Sequence, residues 1–178
     1  MKIYLVRHTQ TNYNVLKLAN TDPTVDVHLS DEGIRQAENL AELLKSIEYD
    51  AVYISELPRT RQTAAIIDKY HNKEFFVDGR INDNKTGFES KPVEEFMNAV
   101  ENAEDPWNQR FSDGESLNEA AERARNFIDE LKTRNHQAVL IVTHGFITQA
   151  IFGYLENKSL EEASKFNLLQ GTYVEFEI

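Results

Sequence analysis

Two arginines and two histidines carry the chemistry that this sequence can offer. Arg7 and His8 follow directly on the apolar run Ile3-Tyr4-Leu5-Val6, Arg59 comes shortly after Ala51-Val52-Tyr53-Ile54, and His144 ends Ala138-Val139-Leu140-Ile141-Val142-Thr143. Singly, each has a plain structural reading: a polar loop, a surface ion pair, a turn residue before Gly145. Together they make a cationic cluster in a chain with 19 Lys and Arg against 30 Asp and Glu, a net charge of −11. Clustered like charges repel, and the compensation is a dianionic ligand, a phosphate group. The chain has no cysteine, which excludes thiol catalysis, cysteine-based zinc sites, iron–sulfur clusters and disulfides. Its five histidines show no H-x-x-x-H or H-E-x-x-H spacing, so no metal is expected. Neither G-x-x-x-x-G-K-[ST] nor G-x-G-x-x-G occurs, so there is no nucleotide fingerprint.

The elements around these residues explain why they would meet. Short apolar runs at Ile3–Val6, Ala51–Ile54, Phe75–Val77 and Ala138–Val142 read as buried strands, and the alternation from Thr172 to Ile178 reads as an edge or final strand. Between them lie helical patterns. Ser30 is an N-cap ahead of Ile34, Ala37, Leu40, Ala41, Leu44 and Ile47, and Pro58 opens a helix carrying Ala64 to Ile67. Ser116-Leu117-Asn118-Glu119 is a capping box, and a further helix carries Phe146, Ile147, Ala150 and Ile151. Thr9 to Leu29 reads as a loop. Strands alternating with helices predict an α/β fold with a mostly parallel sheet, in which ligands bind beyond the carboxyl ends of the strands. The 178 residues suit one domain, 1–178, with a lid-like insertion at about 78–113 that holds one helix through Val93, Phe96, Met97 and Val100.

Composition narrows the class further. Hydrophobic content of 40 % with 10 % aromatics is too high for a disordered chain. The negative charge argues against nucleic acid and anionic membranes as partners. No segment approaches the length of a transmembrane helix, and Met1-Lys2 leads straight into a strand with no signal-peptide pattern, so a cytoplasmic protein is expected.

The ordered motifs resemble the histidine phosphatase superfamily, the phosphoglycerate-mutase-like proteins. Arg7-His8-Thr9-Gln10-Thr11-Asn12-Tyr13-Asn14 is similar to R-H-G-x-T-x-x-N, and Leu29-Ser30-Asp31-Glu32-Gly33-Ile34-Arg35-Gln36-Ala37 to L-[ST]-x-x-G-x-x-Q-A. Ser55-Glu56-Leu57-Pro58-Arg59-Thr60-Arg61-Gln62-Thr63-Ala64 resembles S-x-L-x-R-[AT]-x-[EQ]-T-A. Gly114-Glu115-Ser116 and Val142-Thr143-His144-Gly145 complete the set. The resemblance implies a three-layer α/β/α sandwich. It implies His8 as nucleophile, with Arg7, Arg59, His144 and Asn14 holding the phosphoryl group. It also places an acid at Asp83, where the family usually has Glu, one methylene longer; Glu89 is the second candidate, and the plain reading of Asp83 is a turn residue. Thr9 replaces the family glycine, where a side chain either crowds the phosphate or adds a hydroxyl.

The expected activity is therefore hydrolysis of phosphomonoesters of small metabolites through a phosphohistidine on His8, with no cofactor. The alternatives are a phosphoglycerate-type mutase and a non-catalytic phosphate-binding module. At 178 residues the chain lacks the insertions expected of the mutases. Arg80, Lys85, Lys91 and Arg110 are candidate contacts to a second anionic group of the substrate. Trp107 and Phe111 are expected to pack the lid onto the domain, and His28, His71 and His136 to be surface or loop residues. Oligomeric state has no sequence signal.

Overall fold

In a computed structural model of the chain, which describes residues 1–178, five strands form one sheet in the order β3-β2-β4-β1-β5. They are β1 (Lys2–Arg7), β2 (Ala51–Ile54), β3 (Phe75–Val77), β4 (Ala138–Thr143) and β5 (Tyr173–Glu177). The first four run parallel and β5 pairs antiparallel with β1 at the edge. β4 is central and every one of its six residues is buried, as its continuous apolar run requires.

Successive strand residues point to opposite faces, and both faces are covered by helices. The helices are α1 (Asn12–Leu16), α2 (Asp31–Leu44), α3 (Pro58–Ile67), α4 (Val93–Glu101), α5 (Leu117–Leu131), α6 (Gly145–Leu155) and α7 (Leu160–Ala163). Tyr4, Val6, Val52, Ile54, Leu140 and Val142 meet α2 and α3 through Ala37, Leu40, Leu44 and Ile67. Ile3, Leu5, Tyr53, Val139 and Ile141 meet α5 and α6 through Phe127, Ile128, Leu131, Ile147 and Ile151. The result is the expected three-layer sandwich.

The sequence signals for helix starts hold at α2, α3 and α5. Ser30 accepts from Gly33 N, Ser116 and Glu119 form the capping box, and Pro58 stands in the first turn of α3. The segment read as an unbroken loop contains α1, which is capped by Thr11 and Asn14 in a reciprocal box. Asn rather than Glu or Gln closes that box, so the usual pattern misses it. Four-residue α7 is too short for any apolar periodicity to register.

Gly33 ties α2 to the segment that leads away from the strand end bearing His8. A Cβ at Gly33 would lie 1.9 Å from the backbone oxygen of Gln10. Gly33→Ala is expected to lower stability by about 2 kcal/mol, through forced separation of α2 from this segment. Chemical denaturation, read as a lower midpoint at unchanged slope, checks it.

Helix α4 is fastened to the loop after α1 by backbone pairing. Ala19 N donates to Lys91 O, Ser90 N to Ala19 O and Val93 N to Lys17 O, each at 2.9 Å. No helix is long and apolar enough to cross a membrane.

Candidate active site

Because β1, β2 and β4 are parallel, their carboxyl ends share one edge, and their polar successors meet there. Arg7 ends β1, His8 follows it, Ser55 follows β2, and His144 follows β4 as the N-cap of α6. Arg59 comes from the first turn of α3. His8, Arg59 and His144 are all buried.

The His8 ring is fixed at both nitrogens. Nδ1 lies 2.8 Å from the carbonyl of Thr9, which can only accept, so Nδ1 carries the proton. Nε2 therefore holds a lone pair, which accepts from Arg59 Nε at 3.2 Å. Burial and then the Arg59 charge hold the His8 pKa well below the ordinary imidazole value, against the opposing pull of the Thr9 carbonyl. His144 lies beside it, with ring centroids 5.2 Å apart. Burial and the Arg59 charge push the His144 pKa down as well. Its Nε2 is paired to Ser55 Oγ at 2.8 Å, which leaves Nδ1 facing the cluster.

Arg59 is held on its far side by Asn20, whose Oδ1 and backbone oxygen accept from the guanidinium at 2.9 and 3.0 Å. Arg7 packs against Gly145, where a Cβ would lie 3.3 Å from the guanidinium carbon. Three buried side-chain polar atoms in the molecule lack a partner, and two of them are Arg7 Nε and His144 Nδ1. An unpartnered buried donor is costly, and Arg7 Nε at this cationic cluster suits an anionic ligand, as does His144 Nδ1 in the tautomer in which Ser55 Oγ donates to Nε2.

Asp83 completes the cluster despite its short side chain. Its Oδ2 lies 3.1 Å from Arg59 and 3.7 Å from His144 Nδ1. Burial raises its pKa, with Arg59 pulling the other way. Its reach comes from the backbone, which is drawn inward. Thr143 Oγ1 donates to Ile81 O at 2.7 Å. Arg123 on α5 donates to the carbonyls of Arg80, Asn82 and Asp83 at 2.8, 2.7 and 2.9 Å, while its own charge is met by Glu115. The Gly-Glu-Ser motif therefore acts at a distance, by holding the arginine that holds the acid-bearing turn. Replacing Arg123 with Met is expected to cost about 2 kcal/mol of stability, the scale of a hydrogen bond to a charged group. It should also lower turnover with little change in KM, read from steady-state kinetics beside a denaturation curve.

Other sequence-derived candidates fall elsewhere. Glu89 is engaged by Asn20 Nδ2 and by Thr21 N and Oγ1, at 2.7 to 3.1 Å, and so braces the loop behind Arg59. Thr9 neither crowds the site nor donates into it. It is fully buried and turned toward α3, where its N and Oγ1 meet Thr63 Oγ1 at 3.1 and 3.3 Å. Asn14 lines the same cavity as His8, and its Oδ1 accepts from Thr11 N and from Gln170 Nε2, leaving Nδ2 as its available donor. Gln170 also donates to the His8 carbonyl at 3.2 Å.

The four candidate substrate cations point away. Arg80 pairs with Asp78 and Glu130, Lys85 with Asp113 and Arg110 with Glu119, while Lys91 stands 5.5 Å over the Phe88 ring. Phe111 packs edge-on against Phe88 and Phe96, within the 78–113 segment rather than onto the rest of the domain, and Trp107 lines the cavity. His71 and His136 pair with the hydroxyls of Tyr49 and Tyr53, and His28 with Asp26. No group of three His, Asp or Glu side chains is placed to hold a metal ion.

Sequence reasoning missed Asn20, Arg123 and Gln170. Only Arg123 left a signal: it shares a helix face with Ala120, Ala124 and Phe127, and a charge on a buried face needs partners.

A family model described as the histidine phosphatase superfamily (branch 1) matches residues 3–178. Phosphoserine phosphatase 1 of Hydrogenobacter thermophilus is 30 % identical over 180 residues, covering 97 % of this chain and 84 % of that protein. A protein of Proteus mirabilis named "Probable phosphoglycerate mutase" is 30 % identical over 155 residues, covering 82 % of this chain and 70 % of its own length. Among solved structures, the alpha-ribazole phosphatase of Shigella flexneri superposes with a TM-score of 0.87 at 26 % identity, covering 100 % of this chain and 91 % of that one.

Proposed function

Since the chain belongs to the histidine phosphatase superfamily, we propose that it hydrolyses phosphomonoesters of small molecules through a phosphohistidine on Nε2 of His8. One observation carries this reading: a neutral, buried imidazole presents its Nε2 lone pair to a cluster in which Arg7 Nε and His144 Nδ1 have no partner. In the first step the lone pair attacks phosphorus. The bond to the ester oxygen breaks, and Asp83 gives that oxygen its proton. A phosphoryl oxygen takes over the Arg59 Nε–H that His8 Nε2 accepts in the free enzyme. The Nδ1 proton stays on its bond to the Thr9 carbonyl.

In the second step Asp83, now a carboxylate, takes a proton from water. That water attacks phosphorus, and the P–N bond breaks with its electron pair returning to Nε2. Arg7, Arg59, His144 Nδ1 and Asn14 Nδ2 stabilise the charge on the phosphoryl oxygens, which is the larger part of phosphoryl-transfer catalysis. A raised Asp83 pKa supports its use as the acid, and a bound dianion beside it raises it further.

The test is phosphate release from p-nitrophenyl phosphate with excess chelator, together with acid-labile phosphoprotein trapped by rapid quench. Release with a trapped intermediate is expected. Isomerisation of 3-phosphoglycerate that outpaces phosphate release would favour a mutase, and binding with no turnover a non-catalytic module.

A further inference from the structure

We propose that the substrate is the phosphomonoester of an alcohol with an uncharged, largely apolar or aromatic body, and that α4 supplies the wall that selects it. This rests on the phosphatase reading above and adds to it the part of the substrate that is not transferred.

The cavity over His8 has a volume of about 590 Å3, well beyond what a phosphoryl group fills. Its only cationic side chains are Arg7 and Arg59, and its only carboxylate is Asp83, all at the phosphoryl floor. Above that floor the charged groups end. Val93, Phe96, Met97 and Val100 from α4, with Trp107 and Phe146, form the wall. The remaining polar lining consists of neutral side chains such as Tyr13, Asn84, Thr86 and Gln149.

Helix α4 is amphipathic, yet none of its residues is buried, and Val93 and Met97 are 39 % and 48 % exposed. Its apolar face therefore does not pack on the sheet. It faces the cavity and is held there by the three backbone bonds from Lys17 and Ala19. A carboxylate or ammonium group on the substrate would enter this space with no opposite charge to meet it, at a desolvation cost that an apolar group avoids. The four basic side chains that could have met such a group are turned outward onto Asp78, Glu130, Asp113, Glu119 and the Phe88 ring. Phosphoserine and phosphoglycerate, the substrates named for two of the relatives, are then disfavoured at this site.

The experiment compares alkyl esters of similar leaving ability: 2-phenylethyl phosphate against O-phosphoserine and 3-phosphoglycerate, with p-nitrophenyl phosphate as a check on the chemistry. We expect kcat/KM for 2-phenylethyl phosphate to exceed that for either charged ester by about 100-fold, the discrimination one pocket contact can supply. Met97→Lys, at a half-exposed position of the cavity wall, should shrink this ratio by about tenfold, mainly by raising kcat/KM for the charged esters. Equal or better use of the charged esters by the unaltered protein would overturn the inference while leaving the phosphatase reading intact. An unchanged ratio in Met97→Lys would overturn the role of α4. No turnover of any ester, p-nitrophenyl phosphate included, would overturn both readings.

Discussion

Replacing His8 with Ala is expected to reduce phosphate release by roughly four to six orders of magnitude, the scale seen when a nucleophile is removed from a preorganised site. The phosphoprotein trapped by rapid quench should disappear with it. Binding should survive, because Arg7, Arg59 and His144 retain their donors. Inorganic phosphate is therefore expected to bind the variant with an affinity within about tenfold of the unaltered protein. Loss of both turnover and anion binding would mean that His8 holds the cluster together rather than attacking. Turnover that persists with a trapped intermediate would move the nucleophile to another residue. The removed side chain is buried, so a thermal melt of the variant separates chemistry from misfolding.

Asp83→Asn is expected to lower kcat/KM for an alkyl phosphate by about 10²- to 10⁴-fold, the usual contribution of a positioned general acid. For p-nitrophenyl phosphate the loss should be far smaller, because that leaving group departs without a proton. The pH profile carries the sign. Asp83 must be protonated for the first step, and its pKa is raised by burial, so the rate with an alkyl ester falls as pH rises through that raised value. His8 must be unprotonated, and its pKa is lowered, so its acidic limb lies below the ordinary imidazole range. Asp83→Asn should therefore abolish the basic limb and leave the acidic one. A basic limb that persists in the variant, or equal losses for both esters, would remove Asp83 from proton transfer. Glu89 is poorly placed to substitute, since Asn20 and Thr21 hold both its oxygens.

Some of the site was legible because it depends on local pattern. Apolar runs that stop at Arg7, Ser55 and His144 mark the ends of parallel strands, and parallel strands must deliver their ends to one edge. That argument needs no side-chain coordinates. Thr9 shows its limit. Its departure from the family glycine was visible, but its consequence depended on Thr63, a neighbour only once α3 packs beside β1. The four basic residues of the 78–113 segment show the opposite error. Their charge suggested ligand contacts, yet acidic neighbours on the surface are the cheaper partners for three of them and an aromatic face for the fourth.

By itself the sequence determined the α/β class, the mostly parallel sheet and the basic groups at its edge, because hydrophobic period and capping chemistry act over a few residues, whereas Asp83 entered through the motif resemblance. Tertiary structure alone decided how those groups work. The bond from Arg59 to Nε2 of His8 and the inward pull on Asp83 are set by partners remote in the chain. Arg123 lies 40 positions from the Asp83 carbonyl that it holds, and Gln170 lies 156 positions from Asn14. The uncharged wall above the phosphoryl floor is likewise a product of packing, since it depends on which face α4 turns to the cavity. A side chain's direction is settled by what surrounds it, and those surroundings are assembled from distant segments only when the chain folds.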